Sequence, residues 1–509
     1  MPLPVWRKIL VPCVLAALLL PLGPAPAAVP EIPAAIPAAP ASTPSSAAIP
    51  APAAIPEGPT LLERALDVEL RHALQVTAAL GVHIVELDSG ETVFAYNPDE
   101  PRVIASNTKL FTTAAVLDAL GPGYFFETRF LLRGRVQGEV LDGDLGVVGG
   151  GDPHISGRDY AGDSYAAFRP WAQELRARGI RRVRGDFYLA DGWFTGPLIH
   201  PDWPRDQLTR WYEAPVGALS FNDDCILVRV WPGRSGAAAK VELVPDVPIL
   251  QVENTARTVA RGGNIIIHRT EDRLVVRGTI GVNSGPAETW VTIPDPVRYF
   301  GEALRAALRE EGVEAAGRLR PVSQLPGSVW ERVAVHRSDL LSVLTVTNKR
   351  SQNFYAETLA KQLGATRCHE GNWPQGVRAI SEFLTSIGIP RGSFSMSDGS
   401  GMSRDNQFAP RHLTTLLRHM FFHPAGREFA QTLPYAGEDM GSWKRRMAVP
   451  PYRGNVLAKT GTLNSVSALS GYARAVSGKS YAFSILLNRT AGDARAAQDR
   501  IVMALIDHG

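Results

Sequence analysis

The hydrophobic positions of the chain first form one short apolar run over residues 9–22. Two basic residues, Arg7 and Lys8, precede this run, and small residues such as Ala25 follow it. This order is typical of a secretory signal, so we predict that residues 1–27 direct export to the periplasm or the cell wall. An uncleaved membrane anchor is the alternative, but the run is short for a bilayer span, and no later segment is apolar enough to be one.

The next part of the chain changes from a linker to folded structure. Residues 28–59 are almost entirely Ala, Pro, Ser and Ile, a composition that predicts an extended linker. Helical spacing begins near Thr60 in "TLLERALDVELRHAL", and "GVHIVELDSGETVFAYNP" has the alternation and the turn of a hairpin. The segment "SNTKLFTTAAVLDALGP" then predicts a buried helix that begins near Ser106 and stops at Gly121.

A long middle region separates two segments of similar character. Residues 129–335 consist mainly of short strand-like runs, which predict one or two inserted β-rich subdomains with a possible innermost insert at about 230–290. From 336 the pattern is helical again, and "SQNFYAETLAKQLG" predicts a helix that ends at Gly364. Three strand-like runs and a final helix complete the chain. We therefore predict an α+β domain, an antiparallel sheet flanked by helices, built from 60–128 and 336–509.

Composition and charge exclude several functional classes. The 509 residues are 45% hydrophobic, and 53 basic against 50 acidic side chains leave a net charge of +3. No stripe of basic residues suits a nucleic-acid backbone, so no nucleic-acid partner is expected. Cys13 falls in the leader, and Cys225 and Cys368 either form a disulfide or remain two separate buried thiols. No Cys or His cluster indicates a metal, and no cofactor is implied.

One pair of residues suggests nucleophilic catalysis. Ser106 and Lys109 are three positions apart, so a helix places both on one face. A serine hydroxyl needs a neighbouring base, and a lysine held neutral by burial near a second cation could act as that base. Such a pair also occurs by chance as a cap serine beside a solvated lysine.

Two further motifs favour the catalytic interpretation. Ser351 and Asn353 begin a predicted helix, and Lys459 to Thr462 read "KTGT" on a predicted strand. S-x-x-K, S-x-N and K-T-G together, in this order, form a serine acyl-transfer set. Ser351 would pass a proton to the leaving amine, and the Asn353 amide would bind the substrate backbone.

The "KTGT" segment suits a free carboxylate next to the scissile bond. Lys459, Thr460 and Thr462 present a cation and two hydroxyls, and Gly461 lets the strand approach the substrate closely. Backbone N–H groups of Ser106 and Thr462 are the expected oxyanion hole.

The three motifs, with "DGSGMSRDN" at 398–406, resemble the penicillin-binding D-alanyl-D-alanine carboxypeptidases and endopeptidases of the S13 type. Ser351 follows Ser106 by 245 residues. This separation matches the two extra subdomains of the family, whereas ordinary serine β-lactamases have no room for so long an insertion between these two motifs. The resemblance implies the serine β-lactamase/DD-peptidase fold. It also implies an acyl-enzyme, peptidoglycan stem peptides and cross-links as substrates, and β-lactams as covalent inhibitors.

The resemblance further implies a pocket for the stem-peptide side chain. Asp152, from "GGGDP", would point from the insertion towards the cleft, and Arg404, Leu463 and Asn464 would line the pocket. A turn aspartate and a surface arginine are the alternatives for the two charged residues. For the whole chain, the alternatives are a serine β-lactamase on the same fold and a non-catalytic cell-wall-binding protein.

Overall fold

The structure is a computed structural model that describes residues 59–327 and 329–509. The predicted leader and nearly all of the predicted linker lie outside these residues. Among the helices of the described residues, none combines the length and apolar character that a membrane crossing requires.

The first folded segment contains a helix, a hairpin and a second helix. Its elements are α1 (Leu61–Leu74), β1 (Thr77–Glu86), β2 (Thr92–Tyr96), β3 (Arg102–Val103) and α2 (Thr108–Leu120). A tight 3-10 turn over Ala105–Asn107 precedes α2, so Ser106 lies in this turn and the α-helix begins two residues later than predicted. Every residue of α2 from Thr108 to Leu117 is buried, which makes α2 a central helix.

The inserted region is rich in strands, as the sequence predicts. Its elements are β4 (Phe125–Gln137), β5 (Val140–Val148), α3 (Arg169–Ala177), β6 (Arg182–Val183), β7 (Phe187–Ala190), β8 (Cys225–Trp231), β9 (Lys240–Val244), β10 (Gln251–Asn254), β11 (Arg257–Val259), β12 (Ile265–Thr270), β13 (Arg273–Gly281), β14 (Ala287–Thr292), α4 (Pro296–Glu310), β15 (Glu314–Ala315), β16 (Leu319–Val322) and β17 (Glu331–Asp339).

These strands form one large sheet and two small ones. β4 to β7 and β15 to β17 make a seven-stranded sheet, whose core with α3 and α4 contains Phe130, Trp171 and Phe300. β8, β9 and β14 form a second sheet, and β10 to β13 a third. The predicted boundaries at 129 and 335 fall inside β4 and β17, which pair with each other.

The last segment returns to helices and then to strands. Its elements are α5 (Leu340–Lys349), α6 (Asn353–Cys368), α7 (Trp373–Ser386), β18 (Gln407–Phe408), α8 (Pro410–Phe422), α9 (Gly426–Gln431), β19 (Val456–Leu463), β20 (Val466–Arg474), β21 (Ser480–Thr490) and α10 (Ala494–His508).

Gly364 does not end α6, and this part of the sequence prediction is wrong. The helix continues to Cys368 and is closed by His369, a left-handed residue with φ of 62° whose N–H donates to the Gly364 carbonyl. A Cβ at position 364 would lie 2.7 Å from the carbonyl oxygen of Glu370. Glycine is therefore needed at 364 because the chain after α6 passes close to this position. This packing overrides the usual role of glycine as the residue that ends a helix.

A five-stranded antiparallel sheet joins the two outer segments. Its order is β19–β20–β21–β1–β2, so β19 is an edge strand. Along β21, Ala482 and Leu486 face the core shared with α2 and α6, whereas Phe483 and Ile485 face the core shared with α1 and α10. The sheet thus lies between two helical layers, which confirms the predicted α+β fold. Cys225 and Cys368 are free thiols, so the disulfide alternative is wrong.

Candidate active site

The predicted serine–lysine pair is in direct contact. Lys109 Nζ lies 3.1 Å from Ser106 Oγ and also donates to Asn353 Oδ1 and to the Ser400 carbonyl, each at 2.7 Å. Lys109 is fully buried, and this burial lowers its pKa, although the nearby carboxylates of Glu357 and Asp398 partly oppose the shift. A lysine with a lowered pKa can be neutral near pH 7 and so accept a proton.

The second lysine contacts the second serine. Lys459 Nζ donates to Ser351 Oγ at 2.8 Å and to the Thr460 carbonyl at 2.9 Å. Burial lowers the pKa of Lys459 well below the usual lysine range, and the Lys109 charge lowers it further. Ser351 has a left-handed backbone, with φ of 55°, at the junction of α5 and α6. This strained position turns the serine towards β19.

The edge strand β19 packs against the turn that carries Ser106. Asn107 Nδ2 donates to the Lys459 carbonyl at 2.9 Å. A Cβ on Gly461 would lie 2.5 Å from the Ile104 carbonyl oxygen and 3.1 Å from the Ser106 nitrogen. Glycine is therefore required at 461, as the sequence suggested, but the close neighbour is the serine turn itself.

The far end of β19 meets the "DGSGMSRDN" segment. Arg404 is exposed, and its guanidinium donates to the Asn464 carbonyl at 2.8 Å. Thr462 and Asn464 are exposed, and Leu463 is half-buried. The structure thus brings Arg404 to the strand end where Leu463 and Asn464 lie.

Asp152 does not reach the cleft, and its expected orientation is wrong. The residue is 1% exposed, and its carboxylate accepts from the His154 N–H at 2.9 Å and from Ser338 Oγ at 2.8 Å. Burial raises the pKa of Asp152 to about 7. Through the hydrogen bond from Ser338, the Asp152 carboxylate connects the "GGGDP" loop to β17. Asp152 therefore matches the alternative interpretation, a turn aspartate.

The insertion nevertheless contributes to the site through a loop that sequence analysis missed. Asn353 Nδ2 donates to the Tyr212 carbonyl at 2.9 Å, and Gln352 Nε2 donates to Asp223 Oδ2 at 2.9 Å. Trp203 Nε1 donates to Asp398 at 3.1 Å. These partners are far apart in sequence and show no periodic pattern that could have identified them.

Two buried carboxylates behind Lys109 were also missed. Glu357 accepts from the N–H groups of Gly399 and Ser400 at 2.9 and 2.8 Å, and from Trp373 Nε1 at 2.7 Å. Asp398 accepts from the N–H groups of Gly401 and Ser403. Together they fix the loop whose Ser400 carbonyl contacts Lys109. The available signal for Glu357 was an acidic residue between Tyr355 and Leu359, two positions of the predicted apolar stripe.

Fold and site together indicate a serine peptidase, an enzyme whose serine hydroxyl needs a neighbouring base. The chain belongs to the D-Ala-D-Ala carboxypeptidase 3 (S13) family, whose model matches residues 62–507. It is a serine-type D-Ala-D-Ala carboxypeptidase. The D-alanyl-D-alanine carboxypeptidase of Actinomadura sp. (strain R39) is 32% identical over 471 residues, which cover 88% of this chain and 85% of the relative.

Solved structures show the same fold. Penicillin binding protein 4 (dacB) from Haemophilus influenzae is similar with a TM-score of 0.74 at 24% identity, over 86% of this chain and 98% of that one. The same H. influenzae protein has been solved with a β-lactam, with a TM-score of 0.70 over the same shares of both chains and 24% identity. The Bd0816 predatory endopeptidase from Bdellovibrio bacteriovorus has a TM-score of 0.51 at 15% identity, over 84% and 94% of the two chains.

Proposed function

We propose that this carboxypeptidase acts through an acyl-enzyme on Ser106 and that it also cleaves DD cross-links of peptidoglycan. The observation that carries the proposal is the 3.1 Å contact between Lys109 Nζ and Ser106 Oγ at a fully buried lysine. A neutral Lys109 accepts the Ser106 proton as Oγ attacks the penultimate D-alanine carbonyl. The acyl group stays on Ser106 Oγ as an ester, and the C–N bond to the terminal D-alanine breaks.

Each motif has its own role in this step. Lys109 and Ser351 relay the serine proton to the leaving nitrogen, and Lys459 keeps Ser351 in place through their 2.8 Å hydrogen bond. The N–H groups of Ser106 and Thr462 stabilise the oxyanion. Water then hydrolyses the ester, returns the proton to Ser106 Oγ and releases the acid.

Substrate recognition uses the second half of β19 and the residues at its C-terminal end. Thr460, Thr462 and Lys459 bind the carboxylate of the leaving D-alanine, and Gly461 lets β19 lie close to the turn that carries Ser106. Asn353 binds the stem-peptide backbone. Arg404, Leu463 and Asn464 contact the stem-peptide side chain, whereas Asp152 has no part in binding.

Three further points belong to the proposal. The named endopeptidase with the same fold supports the extension to cross-links, because cross-link and terminus yield the same acyl-enzyme. The β-lactam complex of the H. influenzae protein supports acylation of Ser106 by β-lactams. The basic and apolar start of the chain supports export to the periplasm or the cell wall.

Intact-mass spectrometry after incubation with benzylpenicillin tests the proposal. The wild type and Ser477→Ala should each gain one drug mass, and Ser106→Ala should gain none. Ser477 is the control because it is an exposed serine in the turn between β20 and β21, and its hydroxyl accepts from the Lys479 N–H. Consumption of the drug without a lasting adduct would instead favour the β-lactamase alternative, and an intact drug without an adduct would favour the non-catalytic one.

A further inference from the structure

A large cleft continues from the Lys459–Ser351 pair into the space between the insertion and the catalytic helices. Its volume is about 850 Å³. The wall includes Gln352 and Thr460, which directly follow Ser351 and Lys459 in the chain, so the cleft and the catalytic pair are adjacent. The opposite wall comes from the insertion and includes Arg229.

The position of this cleft identifies it as the leaving-group side. In the proposed mechanism, Lys459 binds the carboxylate of the leaving group and Ser351 gives a proton to its nitrogen. A cleft that begins at these two residues therefore receives whatever is attached to the departing nitrogen. A terminal D-alanine has only a few non-hydrogen atoms, whereas a cleft of this volume matches ligands of several residues.

The charges of the cleft favour an anionic occupant. Four cations line it, namely Arg158, Arg229, Lys349 and Arg350, against one carboxylate, Asp223. Arg229 and Lys349 pair with Glu288 and Glu438, which lie outside the lining, and Arg158 pairs with Asp223. Arg350 is exposed and has no ion-pair partner within 59–327 and 329–509. Free carboxylates of a ligand can therefore pair with Arg350.

An aromatic side chain and a polar corner complete the surface. Trp290, on β14 of the insertion, is 44% exposed and offers an apolar face. At the corner formed by Arg158, Asp223 and Gln352, Oε1 of Gln352 is buried and has no hydrogen-bond partner among the residues that the structure describes. Gln352 itself is only 8% exposed. This acceptor suits a backbone N–H of a bound peptide.

We propose that this cleft binds the second stem peptide of a cross-link, the carboxylate-bearing strand that departs as an amine. The inference rests on the proposed function, because it requires attack by Ser106 on the D-alanyl carbonyl. In the step, the Ser106 Oγ–C bond forms and the C–N bond of the cross-link breaks. The serine proton ends on the departing nitrogen, and the second strand leaves through the cleft.

Paired substrates test this site. We would measure kcat/KM for a cross-linked dimeric muropeptide and for a monomeric pentapeptide, together with acylation by benzylpenicillin. The variants are Arg350→Ala and Trp290→Ala, with Arg391→Ala and Trp231→Ala as controls. Arg391 is an exposed arginine and Trp231 a 38% exposed tryptophan, and neither lines the cleft.

A double variant that combines Arg350→Ala with Trp290→Ala should lose about tenfold or more in kcat/KM for the dimer. Its kcat/KM for the pentapeptide and its rate of acylation by benzylpenicillin should stay within about twofold of the wild type. The controls should match the wild type on all three. Equal losses on dimer and pentapeptide, or no loss on the dimer, would overturn the inference. A wild type that benzylpenicillin acylates but that leaves the dimer intact would overturn the inference and the proposed cleavage of cross-links, while acylation of Ser106 would stand. Failure of acylation itself would overturn the proposed function and the inference together.

Discussion

Asn107 Nδ2 donates a 2.9 Å hydrogen bond to the carbonyl oxygen of Lys459. The residue after Ser106 thus holds the edge strand that carries the second lysine. Both residues are buried, with Asn107 at 0% and Lys459 at 1% exposure. This contact sets the distance between the serine turn and β19, the two walls between which the scissile bond must lie.

Gly461→Ala should separate these two walls. The added Cβ would lie 2.5 Å from the Ile104 carbonyl oxygen, a backbone atom that cannot rotate away. We expect a loss of about 1–3 kcal/mol in the free energy of unfolding, and a fall of about tenfold or more in the rate of acylation by benzylpenicillin. Gly123→Ala, at an exposed glycine with nothing within 4 Å, is the control. If Gly461→Ala is acylated at the wild-type rate, the close approach of β19 to the serine turn is not needed for acylation.

Lys109→Met should remove the base and keep the volume of the side chain. A positioned general base contributes about 10²- to 10⁴-fold, so the rate of acylation should fall by about that factor. Stopped-flow measurement of drug turnover gives the rate, and circular dichroism checks the fold. A folded Lys109→Met that retains the wild-type rate would exclude Lys109 as the base.

Glu357→Gln should alter the pH dependence of acylation. The Glu357 carboxylate raises the pKa of Lys109, so its loss should lower that pKa and shift the rising limb of the rate to lower pH. The rate at its plateau should also fall by about tenfold, because the amide NH₂ that replaces one carboxylate oxygen would face an N–H donor of the loop instead of accepting from it. Glu382→Gln, an exposed site on α7, is the control. If the variant has a lower melting temperature but the rising limb of its pH–rate profile is not shifted, Glu357 has a structural role only.

Asp152→Asn should change stability and leave catalysis intact. Burial raises the pKa of Asp152 to about 7 in the folded state, above its value of 3.8 in an open chain. Its protonated form therefore favours folding below about pH 4, and this contribution is lost as the pH rises to about 7. The difference in melting temperature between the variant and the wild type should thus shift in favour of the variant as the pH rises from about 4 to about 7. Acylation should stay within about twofold, and a large loss of activity would restore Asp152 to the substrate pocket.

Arg404→Ala should weaken substrate recognition selectively. The guanidinium lies at the end of β19 beside Asn464, away from the lysine pair. We expect kcat/KM for a pentapeptide with a diamino-acid side chain to fall by about tenfold, mainly through KM. Acylation by benzylpenicillin, which lacks that side chain, should change little. Equal losses with both compounds would contradict a role in side-chain binding.

The sequence could predict which motif residues lie together because the three motifs are short and each lies at the start of a helix or on a strand. Lys109 lies beside Ser106, and Ser351 lies beside Lys459. The sheet and the two helices that carry these residues were predicted from apolar spacing. The α+β fold followed from the same patterns. These parts depend on local sequence, where periodicity is informative.

The remaining features depend on contacts between distant segments. The Tyr212 carbonyl, Trp203 and Asp223 come from the insertion, and no spacing in the chain relates them to Asn353 or Asp398. A local rule failed at Gly364, which lies inside α6 because the returning chain needs its small volume. At Asp152 the expectation from the family resemblance failed instead, because the carboxylate turns inward and accepts from His154 and Ser338.

The pH dependence of the acylation rate tests the central claim most directly, that a neutral Lys109 deprotonates Ser106. The second-order rate constant for benzylpenicillin should rise with pH and level off at an apparent pKa clearly below that of free lysine, because burial lowers the pKa of Lys109. The same rise should be absent from Lys109→Met. A wild-type rate that does not depend on pH, or that rises only near the pKa of free lysine, would contradict the account.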